Sequence, residues 1–213
     1  GTSVQRLDAG AKSAGTATFG IDVTLPGMLY ATVRMCPTLG GTVTSFDAAA
    51  ARALPGVKDV ISVAGYNGGT AGVAVIADTP FHAMKALRAV EVVWDHGAMA
   101  SVSSSSIMAT LAGTLEKEEG FAYYSHGDVD AALSTAPQKI VAEYRAPFLA
   151  HATMEPINCT VQFAEGRATV WAPTQGPDLA RRAAAKALGI SQRNVDVKVQ
   201  LLGGGFGRRI DVD

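Results

Sequence analysis

The residues best equipped for chemistry form one run near the carboxyl end: Gly203, Gly204, Gly205, Phe206, Gly207, Arg208 and Arg209. Residues without a Cβ let the backbone take positive φ and bring N–H groups against a ligand, and two neighbouring guanidinium groups can neutralise phosphate. That composition suits an anion cradle. It also suits a plain glycine-rich bend flanked by two solvated arginines. No Gly-Lys-Ser/Thr follows, so the run is not a P-loop, and its glycine spacing is not that of the G-x-G-x-x-G dinucleotide fingerprint. Thr174 and Gln175 sit between a strand-like run and a helix start, where loop residues of α/β folds meet ligands. From there Gln175 can donate a hydrogen bond to an oxo or carbonyl group, or serve as an ordinary polar loop residue. His151, Met154 and Glu155 precede Cys159, but Pro156 interrupts any helix that would align His151 with Glu155, which favours a buried hydrogen-bonded pair over a metal site. His82, His96 and His126 are isolated, the run Glu116 to Glu119 reads as a solvated helix face, and no nucleophile, base and orienting group stand together.

These residues need elements to position them. Alternation over 28–35 predicts a strand with Leu29, Ala31, Val33 and Met35 on its apolar face. Asp47 caps a short helix reaching Arg52, and strands are expected over Val57 to Val63, Gly72 to Ile76 and Val90 to Trp94, with a helix opening at Thr79 and Pro80. His96 to Ser106 reads as a flexible connection, and a domain boundary falls near residue 100. Beyond it, a helix runs through Ile107, Met108, Leu111 and Leu115, and Asp128 caps another. Strands are predicted over Lys139 to Arg145 and on both sides of a Glu165-Gly166 turn. Pro177 opens the clearest helix, Gly189 closes it, and alternating Val195, Val197, Val199 and Leu201 lead straight to the glycines. The fold class is therefore mixed α+β.

The 213 residues carry Lys+Arg 18 against Asp+Glu 19, a net charge of -1, which removes the electrostatic footprint of general nucleic-acid binding. Hydrophobic residues at 48% and charged residues at 17% exclude a disordered chain, yet no apolar run approaches the roughly 20 residues needed to span a bilayer. Cys36 and Cys159 belong to no C-x-x-C pair, so an iron-sulfur cluster or structural zinc held by this chain is not expected. The termination at Asp213, just past the glycines, reads as a cut through a longer protein.

In order along the chain, "FGIDVTLPGMLYATV", "SFDAAAARALPGVKDVISV" and "GVAVIADTPFHAMKALRAVEVVWD", then "GDVDAAL", "AEYRAPFLAHATMEPINCT", "VWAPTQGP" and "LLGGGFGRR", resemble segments of the xanthine oxidase family of molybdenum hydroxylases. The resemblance is nearest to the large subunits of the isoquinoline 1-oxidoreductase and aldehyde-oxidising type. It implies a small α/β hammerhead domain over 1–100 and the beginning of a molybdopterin-binding domain over 101–213. It further implies that Gly204, Gly205, Phe206 and Gly207 wall a molybdenum-molybdopterin cofactor, of the cytosine dinucleotide form, that Gln175 hydrogen-bonds an oxo ligand, and that Arg208 holds the pterin or its phosphates. Two arginines after the loop, where many members have Gly-Lys, point to the isoquinoline-type subgroup and away from a purine substrate.

The activity so implied is hydroxylation of an N-heterocycle or an aldehyde with oxygen drawn from water. Its electrons pass to a small 2Fe-2S subunit and onward to a cytochrome c, in the periplasm or the cytoplasm. The family's glutamate base lies beyond these residues, so the chain by itself is expected to be inactive. Two other readings are a non-catalytic docking module whose glycines merely turn the chain, and a conventional nucleotide-binding enzyme.

Overall fold

The computed structural model describes residues 1–213 except 67, 68, 118, 119 and 213. The end of the Glu116 to Glu119 charge run thus lies outside the described residues. The chain divides into two compact units, one made of residues 1–100 with 151–213 and the other of 101–150. This division differs from a single cut at residue 100, because the segments around Glu155 and the glycines are bonded to Ile21 and Phe19 in the first hundred residues.

The first unit begins with a short helix, α1 (Ala9–Ser13), and then holds β1 (Tyr30–Met35), β2 (Thr42–Asp47), α2 (Ala49–Arg52), β3 (Val57–Val63), β4 (Gly72–Ala77), α3 (Pro80–Leu87) and β5 (Glu91–Asp95). β4 is flanked antiparallel by β1 and β3, while β2 pairs antiparallel with β5 in a second sheet. β4 reads GVAVIA because it is the central strand and buried on both faces. Thr79 starts α3 by accepting the His82 N–H at 3.2 Å, and Pro80 supplies a preset φ at the first helical position. Ala83 and Ala86 are both buried, and Ala86 completes a core with Ala48, Ala51, Val60, Val73, Val75 and Val90. Asp47 is the last residue of β2, yet its carboxylate still accepts the Ala49 N–H that opens α2.

β1 faces the opposite way from the expectation. The register sets Val33 opposite Ala74, and Ala74 opposite Ile61, so Val33 shares their outer face. Val60, Val73 and Val75 take the inner one. Val33 is consequently 46% exposed and Leu29 50%, while Thr32 and Arg34 are half-buried.

The rest of the first unit contains β6 (Thr160–Ala164), β7 (Arg167–Ala172), α6 (Pro177–Leu188) and β8 (Val195–Val199). Glu165 and Gly166 both have positive φ, 51° and 71°, as a two-residue hairpin between right-twisted strands requires. β7 also pairs with β8, in parallel, with α6 as the crossover. α6 ends in a Schellman motif: Gly189 is left-handed at φ 65°, its N–H reaches the Lys186 carbonyl, and the Ile190 N–H reaches the Ala185 carbonyl. Ala185 joins Ala168, Val170, Ala172 and Val195 in a second small core.

The second unit contains α4 (Ser104–Lys117) and α5 (Val129–Thr135), neither with a buried residue. The serines placed in a flexible connection instead start α4: Ser103 and Ser106 each accept the other's backbone N–H through their hydroxyls, a reciprocal cap. Asp128 caps α5 as expected, accepting the Ala131 N–H at 2.9 Å. The strand predicted over Lys139 to Arg145 does not form. Ile140, Val141 and Tyr144 are 88%, 95% and 91% exposed, and β-rich composition makes a strand only where a neighbour supplies the ladder.

Candidate cofactor-binding site

Val195 to Val199 and Arg167 to Ala172 run side by side, and each delivers a loop to the same end of the sheet. β7 leads to Pro173, Thr174 and Gln175 before α6, and β8 leads to the glycines. This is the carboxyl end of a parallel strand pair, the position at which open α/β sheets bind ligands. A Cβ on Gly205 would lie 2.9 Å from Gln175 Oε1, so the missing side chain is what lets the Gln175 carboxamide approach the loop. Gln175 is itself exposed, Gly204 and Gly205 are half-buried, and Phe206 and Gly207 are exposed.

The loop's backbone is strained in a particular pattern. Gly204 and Gly207 take φ of 100° and 92°, and Phe206, with a side chain, takes 52°. A left-handed aromatic residue costs on the order of 1–3 kcal/mol and persists where the surroundings over-determine it. Among the described residues no acceptor is found for the N–H of Gly204, Gly205, Phe206 or Gly207, whereas the N–H groups of Gly203, Arg208 and Ile210 bond to Glu155, Gly205 and Gly207. Four consecutive free donors beside an exposed carboxamide form a nest able to hold an anionic or oxygen-rich group.

Beneath the nest lies a buried ion pair that sequence reading did not foresee. Arg209 Nη2 stands 2.9 Å from Glu155 Oε2, with the two side chains only 2% and 5% exposed. Glu155 Oε2 also accepts the Gly203 N–H at 2.9 Å, and Oε1 accepts the Ile21 N–H and the Asn158 amide at 2.9 and 3.0 Å. The Arg209 guanidinium donates to the carbonyls of Gly204, Glu155 and Pro173, and its own carbonyl accepts from the Gln175 N–H and the Thr174 hydroxyl. Burial by itself would raise the Glu155 pKa. The Gly203 N–H, the Asn158 amide, the Ile21 N–H and the Arg209 charge outweigh it and hold the carboxyl below its ordinary value.

Two expectations change accordingly. Glu155 is buried and hydrogen-bonded, but its partner is Arg209; His151 is exposed and takes no part. Of the two arginines pictured as solvated in the plain-bend reading, Arg209 is locked inside. Arg208 is more open, 3.9 Å from Asp211. No group of three or more His, Cys, Asp or Glu side chains that could hold a metal ion occurs among the described residues. Cys36, buried, and Cys159, exposed, are both free thiols. No described helix is long and apolar enough to cross a membrane.

The family model of the molybdopterin cofactor-binding domain matches residues 114–212, which include Gln175 and the whole glycine loop. The chain is 31% identical to a membrane-bound aldehyde dehydrogenase [pyrroloquinoline-quinone] of Gluconacetobacter polyoxogenes, over 99% of its own length and 28% of the relative's. It is 30% identical to the isoquinoline 1-oxidoreductase subunit beta of Brevundimonas diminuta, over 99% of its own length and 27% of that subunit's. The chain therefore spans under a third of these relatives. Its fold is that of quinoline 2-oxidoreductase from Pseudomonas putida 86, with a TM-score of 0.70 at 22% identity, covering 98% of this chain and 31% of that one. Residues 114–212 thus match a molybdopterin cofactor-binding domain over the nest itself, and the chain from one end to the other resembles part of the molybdopterin-binding large subunits of the xanthine oxidase family of molybdenum hydroxylases.

Proposed function

We propose that these residues form one wall of the cofactor site in an oxidoreductase that hydroxylates an N-heterocyclic compound or an aldehyde with oxygen from water. The observation that carries this reading is the run of amides from Gly204 to Gly207 without an acceptor among the described residues, in a loop that packs closely against the Gln175 carboxamide at Gly205. A molybdenum-molybdopterin group, in its cytosine dinucleotide form, fits such a nest because it is rich in acceptors and the nest offers a run of main-chain donors. When bound, the group supplies the two-electron oxidation of the substrate carbon. The chain's own residues do the holding. Gly205, Phe206 and Gly207 donate main-chain N–H groups, Gln175 donates from its carboxamide, and Arg208 compensates negative charge on the pterin or its phosphates.

In this reading a small 2Fe-2S subunit takes the electrons and passes them to a cytochrome c. The working compartment is the periplasm or the cytoplasm. In this reading the 213 residues alone turn over no substrate.

Elemental and cofactor analysis of the complete subunit, produced together with its electron-transfer partner, tests this reading. One molybdenum and one pterin per subunit are expected. A protein without molybdenum would contradict it and leave a docking module with a structural turn, while a quinone in its place would match the cofactor for which the Gluconacetobacter relative is named.

A further inference from the structure

The ion pair under the nest does more than fill space. Glu155 brackets Gly203 from both sides, its N–H donating to the Gly203 carbonyl at 3.0 Å and its carboxylate accepting the Gly203 N–H at 2.9 Å. Arg209 stands at the other end of the same loop and reaches back to its start, donating through Nε to the Gly204 carbonyl and through Nη2 to the Glu155 carbonyl at 2.7 Å. Its backbone carbonyl simultaneously fixes the Gln175 N–H at 2.9 Å. Of the residues between Gly203 and Arg209, the four from Gly204 to Gly207 have amides with no acceptor among the described residues, while the Arg208 N–H bonds to the Gly205 carbonyl. From this geometry we infer that Glu155 and Arg209 are a positioning pair: they hold the Gly204 to Gly207 amides and Gln175 in one fixed relation, aimed at the cofactor. Neither residue touches the cofactor. The Arg209 fork faces inward, so the pair acts through the loop, and a planar guanidinium is needed because three carbonyls and a carboxylate are served at once.

This inference rests on the proposed cofactor reading, and the experiment separates the two. In the complete enzyme matured with its cofactor, Glu155→Gln and Arg209→Lys are compared with wild type by melting temperature, molybdenum per folded protein, turnover per bound molybdenum, and the Mo(V) electron paramagnetic resonance signal. Glu155→Gln keeps the size but puts an amide where the Gly203 N–H and Arg209 need an acceptor. Arg209→Lys keeps the charge but cannot reach the Gly204 carbonyl and Glu155 together. Both variants should fold and retain molybdenum in part, with turnover per molybdenum lowered at least tenfold and the Mo(V) signal altered. Wild-type turnover per molybdenum with an unchanged signal would overturn the pairing role, whatever the stability. So would failure of both variants to fold, since the pair would then serve the fold as a whole. Absence of molybdenum from the wild-type enzyme would instead sink the cofactor reading.

Discussion

Arg209→Ala will destabilise the protein by about 3–5 kcal/mol, the cost of leaving one partner of a buried pair as an uncompensated charge. The carboxylate of Glu155 would keep the Gly203, Ile21 and Asn158 donors but lose its counter-charge in a place that is 5% exposed. Trp171 in β7 reports the loss, read as a lower urea midpoint by fluorescence; a midpoint shift worth less than about 1 kcal/mol would contradict the assignment. A pH dependence goes with it. Because the folded carboxyl lies below its ordinary value, its contribution is complete above pH about 4.5 and fades as pH falls through the lower folded value. The Arg209→Ala protein, with a smaller depression of that pKa, should show a shallower fall in stability with acid over that window than wild type.

Gly203→Ala and Gly205→Ala should separate support from contact. A Cβ at Gly203 would stand 2.4 Å from the Glu155 Cβ and 3.4 Å from its Cα, atoms that move only with the backbone. Overpacking of that kind costs about 1–3 kcal/mol. At Gly205 the obstacle is Gln175 Oε1 at 2.9 Å, the far end of an exposed side chain that swings aside, so the stability change stays within about 0.5 kcal/mol. The Gly205 methyl nonetheless occupies the space between loop and carboxamide, and molybdenum content should fall severalfold while the melting temperature holds. Equal effects of the two substitutions on stability, or full metal in Gly205→Ala, would be inconsistent with the nest as described.

How much of this was legible beforehand follows from the range of each interaction. Thr79 with Pro80, Asp128, Gly189 and the Glu165-Gly166 turn announce themselves because a cap or a tight turn is written within a few residues. The glycine run and Gln175 stand out for the same local reason: one follows an alternating strand, the other separates a strand from a helix. The Glu155 and Arg209 pair leaves no such trace. Its members are 54 residues apart, and a lone glutamate beside a histidine and a proline gives no hint of its partner. The face of β1 was misjudged because apolar alternation shows which residues share a side but not which side is covered. That choice is made by the register with β4. Lys139 to Arg145 has strand composition but no neighbouring strand among the described residues, and the serines before α4 look like a linker until Ser103 and Ser106 are seen to cap each other.

Hydrogen exchange of the loop peptide is the most direct probe of the nest, measured in the complete subunit with and without its cofactor. Without cofactor the amides of Gly204, Gly205, Phe206 and Gly207 should exchange at nearly the rate of free chain, and with it they should be strongly protected, while Gly203 stays protected in both states. Identical exchange at those four positions with and without bound molybdenum would mean that the amides never meet the cofactor.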